Sequence, residues 1–506
     1  MRPFRLLALS VLLLEPAHAD EIGPAQAQAL QQQLRDWVAG LLGPSAKLPE
    51  PPPFQVSADH DHYLITWPIP GLTAPSGEPA VTAKIRPLDG TRWSVDSLLA
   101  PPSGSFTVTL PGDEPPLKAE FSIGRQDTTG VIDPSFASGS KLHSELSDVS
   151  VKTEGGGQKQ EQRFDHYLAE TSLTMSQNGR LDLMTEGKVD GWNSASQMNN
   201  GGAVAVGVRT MHGIAQVNGV NRDRVASLLA ATGGIIGALP PGFGKQDGNT
   251  DLPPAVHAQL RLAVESLQDM LSSVQLEETL NGVRVEMAGV GDMSAKRIMM
   301  GMGGDSIDGR LRAWIELALD ELASPSLPPN IAAYLPHHLE IKPSLSGVLA
   351  TDLHNLALDA TESGASEPGA ANDRLAADLA AMFSHGGIKL GLETLSFDLG
   401  AAKVEGTGAI TVSSPGVWHG RAHLEAAGLD ELTAQARTSP ELQSALPALI
   451  MLRGLAKQDS ERLVWDVVSD GTTTTVNGFD LSQLGGGEKP KTRSSPAPKP
   501  AQPPSR

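Results

Sequence analysis

From Phe54 onward, apolar and polar residues alternate along much of the chain, as they do in β-strands with one buried face. Three of these stretches are interrupted by a dipeptide typical of a tight hairpin turn: Asp89-Gly90, Asn178-Gly179 and Asp470-Gly471. Such dipeptides tolerate the positive φ angles that a two-residue hairpin requires. The pattern therefore predicts an antiparallel sheet.

The segment from Gly309 to Leu319 decides between a helical and a sheet-rich fold. Its Leu, Ala and Glu content is typical of a helix, yet its apolar residues from Leu311 to Leu319 occupy every second position. We predict a strand, because the spacing of apolar residues shows which positions are buried, whereas the helix propensity of single residues only weakly predicts secondary structure.

A short phrase, apolar-x-x-apolar-x-apolar-charged, recurs at uneven spacing. Its copies are Leu146–Lys152, Leu353–Asp359 and Leu392–Asp398. The uneven spacing excludes a solenoid repeat. We interpret the copies as similar strands of one large sheet.

Helical spacing of apolar residues predicts several helices among the strands. The first has a stripe through Leu30 and Leu34 and is followed by the stiff Pro49–Pro53 connector. The last is broken by Pro440 and Pro447. The predicted helices are Pro24–Leu42, Arg222–Leu239, Pro254–Thr279, Ala371–Phe383 and Asp430–Ala456, with a loop over Ala360–Asn372.

These elements predict an α+β fold: a large curved antiparallel sheet, or two, with helices packed on one face. Clusters of Pro, Gly, Asp and Asn between Pro240 and Pro254 suggest a boundary, and the Pro-, Ser- and Lys-rich end suggests a disordered basic tail. The predicted divisions are 1–19 (signal peptide), 20–53 (helix and linker), 54–239 (β-rich half), 240–254 (linker), 255–484 (α+β half) and 485–506 (tail).

The N-terminus has the organisation of a secretory signal peptide. Arg2 and Arg5 precede the apolar run Leu6–Leu14, and Ala17-His18-Ala19 fits a small-x-small cleavage site. The run is far shorter than the ~20 apolar residues that cross a bilayer. We predict cleavage after Ala19, export to the periplasm and no transmembrane anchor.

Composition narrows the possible partners. The chain has 506 residues, no cysteine and a formal net charge of −19. The absence of cysteine excludes disulfides, thiolate nucleophiles and Cys-ligated metals. The negative charge argues against nucleic acid, whose binding needs a basic surface.

Candidate catalytic motifs are weak. Asp59-His60-Asp61-His62 is the densest potential metal cluster, but on a strand His60 and His62 would share one face and leave only two converging ligands. Ser138–Lys141 matches the Ser-x-x-Lys pattern without any of the motifs that accompany it in known enzymes. A polar turn is the simpler interpretation.

Two further pairs of ionisable residues occur in the sequence. Glu277-Glu278 would end the long predicted helix, where adjacent carboxylates point to different faces, and His337-His338 has no fixed third ligand. We therefore assign no catalytic, cofactor-binding or metal residue and expect no enzyme, although an enzyme of unrecognised type stays an alternative.

Several short segments distributed over the mature chain are similar to those of a known family. They are Tyr63–Pro70, Leu88–Trp93, Ile132–Ser135, Gly391–Leu395, Glu405–Gly408, Leu463–Trp465 and Val476–Gly478. In these segments the chain resembles an uncharacterised bacterial envelope family, a domain of unknown function. Its sheet-rich texture also looks loosely like AsmA-like envelope proteins, which implies lipid transport. The chain departs from typical members in lacking an N-terminal membrane anchor.

A broad sheet with one apolar face must cover that face with helices, another sheet or a ligand. The leading expectation is an exported, non-enzymatic envelope protein that binds or shields lipid in an apolar groove. The alternative is a structural or interaction protein of the envelope, whose first helix or cationic tail docks a partner such as an envelope protein, the cell wall or an anionic membrane surface. The oligomeric state stays open.

Overall fold

The described strands form one large, open antiparallel sheet. The structure is a computed structural model that describes residues 22–42, 54–238 and 252–483, apart from gaps at 70, 76–78, 89–91, 109–115, 134–139, 156, 177, 199–200, 363–367, 401, 415–416 and 439. The strands are β1 (Gln55–Asp59), β2 (His62–Pro68), β3 (Ala80–Pro87), β4 (Trp93–Leu99), β5 (Ser103–Val108), β6 (Leu117–Ile132), β7 (Ser140–Gly155), β8 (Gln158–Met175), β9 (Leu181–Met198), β10 (Ala203–Val220), β11 (Ser273–Met287), β12 (Gly291–Ile307), β13 (Arg310–Asp320), β14 (His338–Leu349), β15 (Ile388–Asp398), β16 (Lys403–Ser414), β17 (Val417–Ala427), β18 (Lys457–Asp459), β19 (Arg462–Asp470), β20 (Thr474–Val476) and β21 (Phe479–Asp480).

Helices occupy a few of the connections. They are α1 (Pro24–Leu42), α2 (Arg222–Ala238), α3 (Pro254–Leu267), α4 (Pro329–Ala332), α5 (Ala350–Glu362), α6 (Pro368–Ser384), α7 (Leu429–Thr438) and α8 (Leu446–Leu455).

The sheet is a meander in which neighbours in sequence are mostly neighbours in space. Strands β1 to β4 pair successively, β4 and β5 share one edge of β6, and β6 to β17 pair successively. Strand β17 pairs with β19, whose other edge pairs with β18 and β20, and β20 pairs with β21. Such local connectivity follows from the short hairpin turns in the sequence.

The structure confirms the sheet predictions. Asn178-Gly179 connects β8 to β9, and Asp470-Gly471 connects β19 to β20. Strands β3 and β4 also pair, although their turn at Asp89-Gly90 lies outside the described residues. The ambiguous Gly309–Leu319 segment is strand β13, so periodicity correctly overrides propensity there.

Most helix predictions are also confirmed. Helices α1, α2 and α6 lie where the apolar spacing places them, and the final helical region is split into α7, a 3-10 helix at Pro440–Ala445, and α8. The breaks coincide with Pro440 and Pro447, because proline at the first helical turn begins a helix rather than continuing one.

One predicted helix end and one predicted strand are wrong. The predicted Pro254–Thr279 helix ends as α3 at Leu267, and Ser273–Thr279 belong to β11, because Val274 continues the helical spacing of the preceding leucines but also alternates with Leu276 and Leu280 as in a strand. The Leu353–Asp359 phrase lies in helix α5 rather than in a strand. The end of α5 and the start of α6 also overlap the predicted Ala360–Asn372 loop, and residues 363–367 lie outside the described residues.

Several predictions lie outside the described residues. They concern the signal peptide 1–19, the Pro49–Pro53 connector, most of the 240–254 linker and the tail 485–506. The division into halves at that linker stays a prediction.

One residue in each of the long strands β6 to β12 has no partner in the register of the sheet, and together these residues form a line across the strands. At this line the alternation of side chains between the two faces of the sheet reverses. On it Asp148, Gly191 and Gly282 have φ of 54°, 68° and 64°, so every second strand is kinked. In a regular strand, residues three positions apart point to opposite faces. Across the kink, however, Val208 and Met211 belong to one hydrophobic cluster. The line, which we call the kink line, runs through Gly124, Asp148, Asp165, Gly191, Arg209, Gly282 and Lys296.

Local backbone irregularities explain two copies of the recurring apolar-x-x-apolar phrase, and one of these irregularities is the kink line. On β7 the positive φ of Asp148 brings Leu146 and Val149 to the same face. On β15 a register shift between Leu392 and Leu395 has the same effect. Two copies of the phrase therefore mark irregular strands.

Candidate functional site: an apolar sheet face

One face of the sheet carries a nearly continuous apolar surface. Residues paired across antiparallel strands point to the same face, so the register assigns each side chain to a side. From β7 to β19 one row of paired residues is wholly apolar. It consists of Leu146, Tyr167, Val189, Met211, Leu280, Ile298, Leu319, Leu339, Phe397, Val404, Ala426 and Leu463.

A second row on the same face lies nearer the ends where α2, α3, α5 and α6 join the strands. It consists of Leu173, Leu183, Val217, Val274, Gly304, Ala313, Leu345, Leu390 and Ile410. We call the surface formed by these rows, and by the residues between them, the apolar face.

Near the N-terminal strands, helix α1 covers the apolar face. Its Leu30 is buried together with Phe54 and Ile85 in a cluster that also contacts Ile132 and Leu142. Between α1 and strands β6 to β9 lies a cavity of about 330 Å³ with an almost wholly apolar lining, which includes Leu173 and Leu183 of the second row.

Helices α7 and α8 cover the apolar face near its C-terminal strands. Leu429 is buried there with Ala426 and Trp465, and Leu449 packs against the same cluster. The Trp465 indole nitrogen donates a hydrogen bond to the Leu452 carbonyl at 2.9 Å. This contact anchors α8 to β19, since a buried indole N–H needs an acceptor.

Between these two covered ends, part of the apolar face is exposed to solvent. Ile315 is 60% exposed and Met302 is 53% exposed, far above the values expected for residues in a core. The exposed residues of this region, which we call the open patch, are Leu276, Met300, Met302, Ile315, Leu317, Leu345 and Leu390.

The members of the open patch are direct neighbours. Leu276, Met302 and Ile315 form one paired row across β11, β12 and β13, and Met300 pairs with Leu317 in the adjacent row. Leu345 and Leu390 continue the patch onto β14 and β15, which makes the patch about 19 Å long at the usual strand spacing. Contiguous apolar surfaces of this kind commonly mark binding sites.

The opposite face of the same strands is polar and rich in ion pairs. Asp320 accepts hydrogen bonds from Arg297 at 2.6 Å and His338 at 2.7 Å. Arg312 donates to Glu393 at 2.8 Å, and this hydrogen bond lowers the pKa of the Glu393 carboxyl. The sheet therefore has one polar, solvent-facing face and one apolar face.

The apolar face carries one charged residue within the described parts of β6 to β17. Glu278 pairs with Gly213 on β10 and with Met300 on β12, and its strand neighbours on that face are Leu276 and Leu280. Its side chain is partly buried, and no described group donates a hydrogen bond or forms an ion pair with it. Glu277 points to the polar face.

The structure corrects the sequence-based view of the Glu277-Glu278 pair. The two residues lie in the middle of β11 rather than at a helix end, and they still point to different faces. Sequence reasoning missed the importance of Glu278. The period-two series Val274, Leu276, Glu278 and Leu280 contained the signal once the segment is a strand.

The candidate metal and catalytic residues do not converge on a site. Asp59 ends β1 and His62 begins β2, so His60 lies in the turn rather than on a strand face, with φ of 59°. His62 is held by Asp61 and Asp96 at 2.6 Å each. No group of three His, Asp or Glu side chains suited to a metal ion occurs in the described part of the chain.

The other candidates have structural roles. The hydroxyl of Ser140 accepts a hydrogen bond from the Asp133 backbone N–H at 2.9 Å, whereas Ser138 lies outside the described residues. His338 pairs with Asp320 on the polar face, and the His337 carbonyl accepts from the Glu321 N–H. Neither pattern positions a nucleophile beside a base.

Among the described helices, none combines the length and apolar character needed to span a bilayer. Comparison of the chain with protein-family models, with curated proteins and with solved structures found no match.

Proposed function

We propose that this chain is an exported, non-enzymatic envelope protein that binds or shields lipid on the open patch. The observation that carries the proposal is a patch of exposed apolar side chains between two helix-covered ends of one sheet face. The N-terminal sequence pattern supports export to the periplasm, and the sequence resemblance supports an envelope role. In this proposal the sheet is curved, and the helices lie on its apolar face as lids.

The energetics favour an acyl chain as the occupant. Burying the exposed fractions of the seven side chains contributes about 5–10 kcal/mol, and each methylene buried on the ligand contributes about 0.8 kcal/mol. Association costs about 4–15 kcal/mol in lost freedom and ordering. A long chain thus gains enough to bind reversibly, whereas a short apolar molecule does not.

The patch composition also suits a flexible ligand. Met300 and Met302 lie at its centre, and Ile315 and Leu317 flank them on β13. Methionine side chains adapt to irregular apolar shapes because they are unbranched and polarizable. Such a surface can accommodate acyl chains of different conformation.

The first test is direct extraction. The full chain is purified from a bacterium without detergent, extracted with organic solvent and analysed by mass spectrometry, and the delipidated protein is titrated with a fluorescent long-chain alcohol. We expect co-purified lipid and saturable probe binding. Neither lipid nor probe binding would contradict the proposal and favour the alternative of an interaction protein.

A matched pair of variants places the site on the sheet. Met302→Gln removes an apolar side chain from the open patch, whereas Met184→Gln changes a methionine of β9 that is 41% exposed on the polar face. We expect Met302→Gln to weaken probe binding about ten-fold and Met184→Gln to leave it unchanged. Equal effects of the two variants would place the binding site elsewhere.

A further inference from the structure

Glu278 is an isolated carboxylate on a surface that is otherwise uncharged in the described parts of β6 to β17. Its neighbours on the apolar face are Gly213, Leu276, Leu280 and Met300, and no described cation approaches it. A carboxylate beside apolar groups is more costly to desolvate than one in water, unless a donor or a cation compensates it. A ligand that covers the patch must therefore either avoid Glu278 or supply that partner.

The surrounding geometry leaves space for such a group. Gly213 and Gly187 are paired neighbours on this face, and a Cβ added to either would meet no atom closer than 3.6 Å. On the same face of its own strand, Glu278 lies between the apolar side chains of Leu276 and Leu280. A polar head group could therefore lie over the glycines while its chain extends across Met300 and Leu317.

We propose that Glu278 selects amphiphiles whose head carries a primary ammonium and disfavours those with a free carboxylate. The inference rests on the proposed function, since it concerns the ligand of the open patch. An ammonium gains an ion pair and hydrogen bonds with the carboxylate, whereas a second carboxylate is repelled. Low polarity around the pair strengthens both effects.

The test compares ligands that share one chain and differ in head group. Tetradecylamine, tetradecanol and tetradecanoate compete with the fluorescent alcohol for the full-length protein at neutral pH and physiological salt. We expect the amine to compete at least about ten-fold better than the acid, with the alcohol between them. In Glu278→Gln, which keeps the size of the side chain, this preference should shrink to within about two-fold.

The matched control is Glu277→Gln on the polar face of the same strand. It changes the net charge by the same amount, so a general attraction of cations to this acidic protein would change equally in both variants. We expect Glu277→Gln to retain the full preference for the amine. Circular dichroism and denaturation midpoints show whether both variants fold as the wild type does.

The possible outcomes separate this inference from the proposed function. If the fluorescent alcohol and all three competitors fail to bind, the lipid proposal itself is wrong. If the competitors bind but Glu278→Gln leaves the amine-to-acid ratio unchanged, or Glu277→Gln lowers it equally, the patch binds lipid and Glu278 does not select its head group.

Discussion

The kink line predicts a sharp difference between two glycines of the same strand. Gly191 lies on the line with φ of 68°, and a Cβ added to it would lie 2.0 Å from the Asp165 carboxylate. Gly187, four residues earlier on β9, has no positive φ and would place its Cβ 3.7 Å from the nearest atom. The two alanine variants therefore change the same residue type in different backbone conformations.

The magnitudes follow from these geometries. An alanine in the left-handed region costs about 1–2 kcal/mol, and displacing the Asp165 side chain adds to this cost. Replacing glycine also reduces the entropy of the unfolded chain, which favours alanine by about 0.4–1 kcal/mol. We expect Gly191→Ala to lower the free energy of unfolding by about 1–2 kcal/mol and Gly187→Ala to raise it by about 0.5 kcal/mol.

Urea denaturation followed by tryptophan fluorescence measures both changes, since Trp192 adjoins the kink line. The double variant Asp165→Ala/Gly191→Ala removes the steric contact and leaves the backbone cost, so the two contributions can be separated. Equal stability of Gly187→Ala and Gly191→Ala would show that β9 is regular at Gly191, and the reversal of alternation would then lack its physical basis.

Two further predictions concern the C-terminal strands. The Asp470 carboxylate accepts hydrogen bonds from the Thr472 and Thr473 backbone N–H groups at 3.0 and 2.8 Å, which lower its pKa to about 2. The ionised Asp470 carboxylate should therefore stabilise the fold above about pH 4, and this stabilisation should be lost as the pH falls towards about 2. Over this range the urea midpoint should fall more in the wild type than in Asp470→Asn. Parallel dependence of the two midpoints on pH would contradict this. Asn477, at φ of 51°, donates to the Leu455 and Val464 carbonyls at 2.9 and 2.8 Å, so Asn477→Ala should destabilise by about 2–4 kcal/mol in the same assay, and a loss below about 0.5 kcal/mol would be contrary to these contacts.

The sheet was predictable because its signals are local. Strict alternation identified β13 against its helical composition, and the turn dipeptides at Asn178-Gly179 and Asp470-Gly471 located two hairpins. These signals depend on adjacent residues alone, so a single sequence contains them.

The end of α3 and the kink line were not predictable in the same way. Val274 fits the helical spacing of Leu267 and Leu271 and also the strand alternation that follows it, and only pairing with β10 and β12 decides between them. The positive φ of Asp148 is likewise imposed by neighbouring strands, since aspartate adopts such angles only occasionally. Tertiary pairing therefore determined what local periodicity left ambiguous.

The role of Glu278 depends on the same long-range information. Its face becomes known only when Gly213 and Met300 are identified as its paired neighbours, and its isolation only when the whole face is assembled. Placing the residue at a helix end concealed both facts. Once β11 is recognised, the alternation of Val274, Leu276, Glu278 and Leu280 reveals one charge in an apolar series.

The open patch and Glu278 together suggest why this sheet leaves part of its apolar face uncovered. Helix α1 at one end and helices α7 and α8 at the other bury their share of that face, so the fold is able to cover it. Leaving Met302 and Ile315 exposed forgoes hydrophobic stabilisation and invites aggregation, and a charge among them opposes non-specific association. A surface that needed only to be hidden would be wholly apolar and covered, whereas one that must accept and release an amphiphile gains from being open and from carrying a single charge.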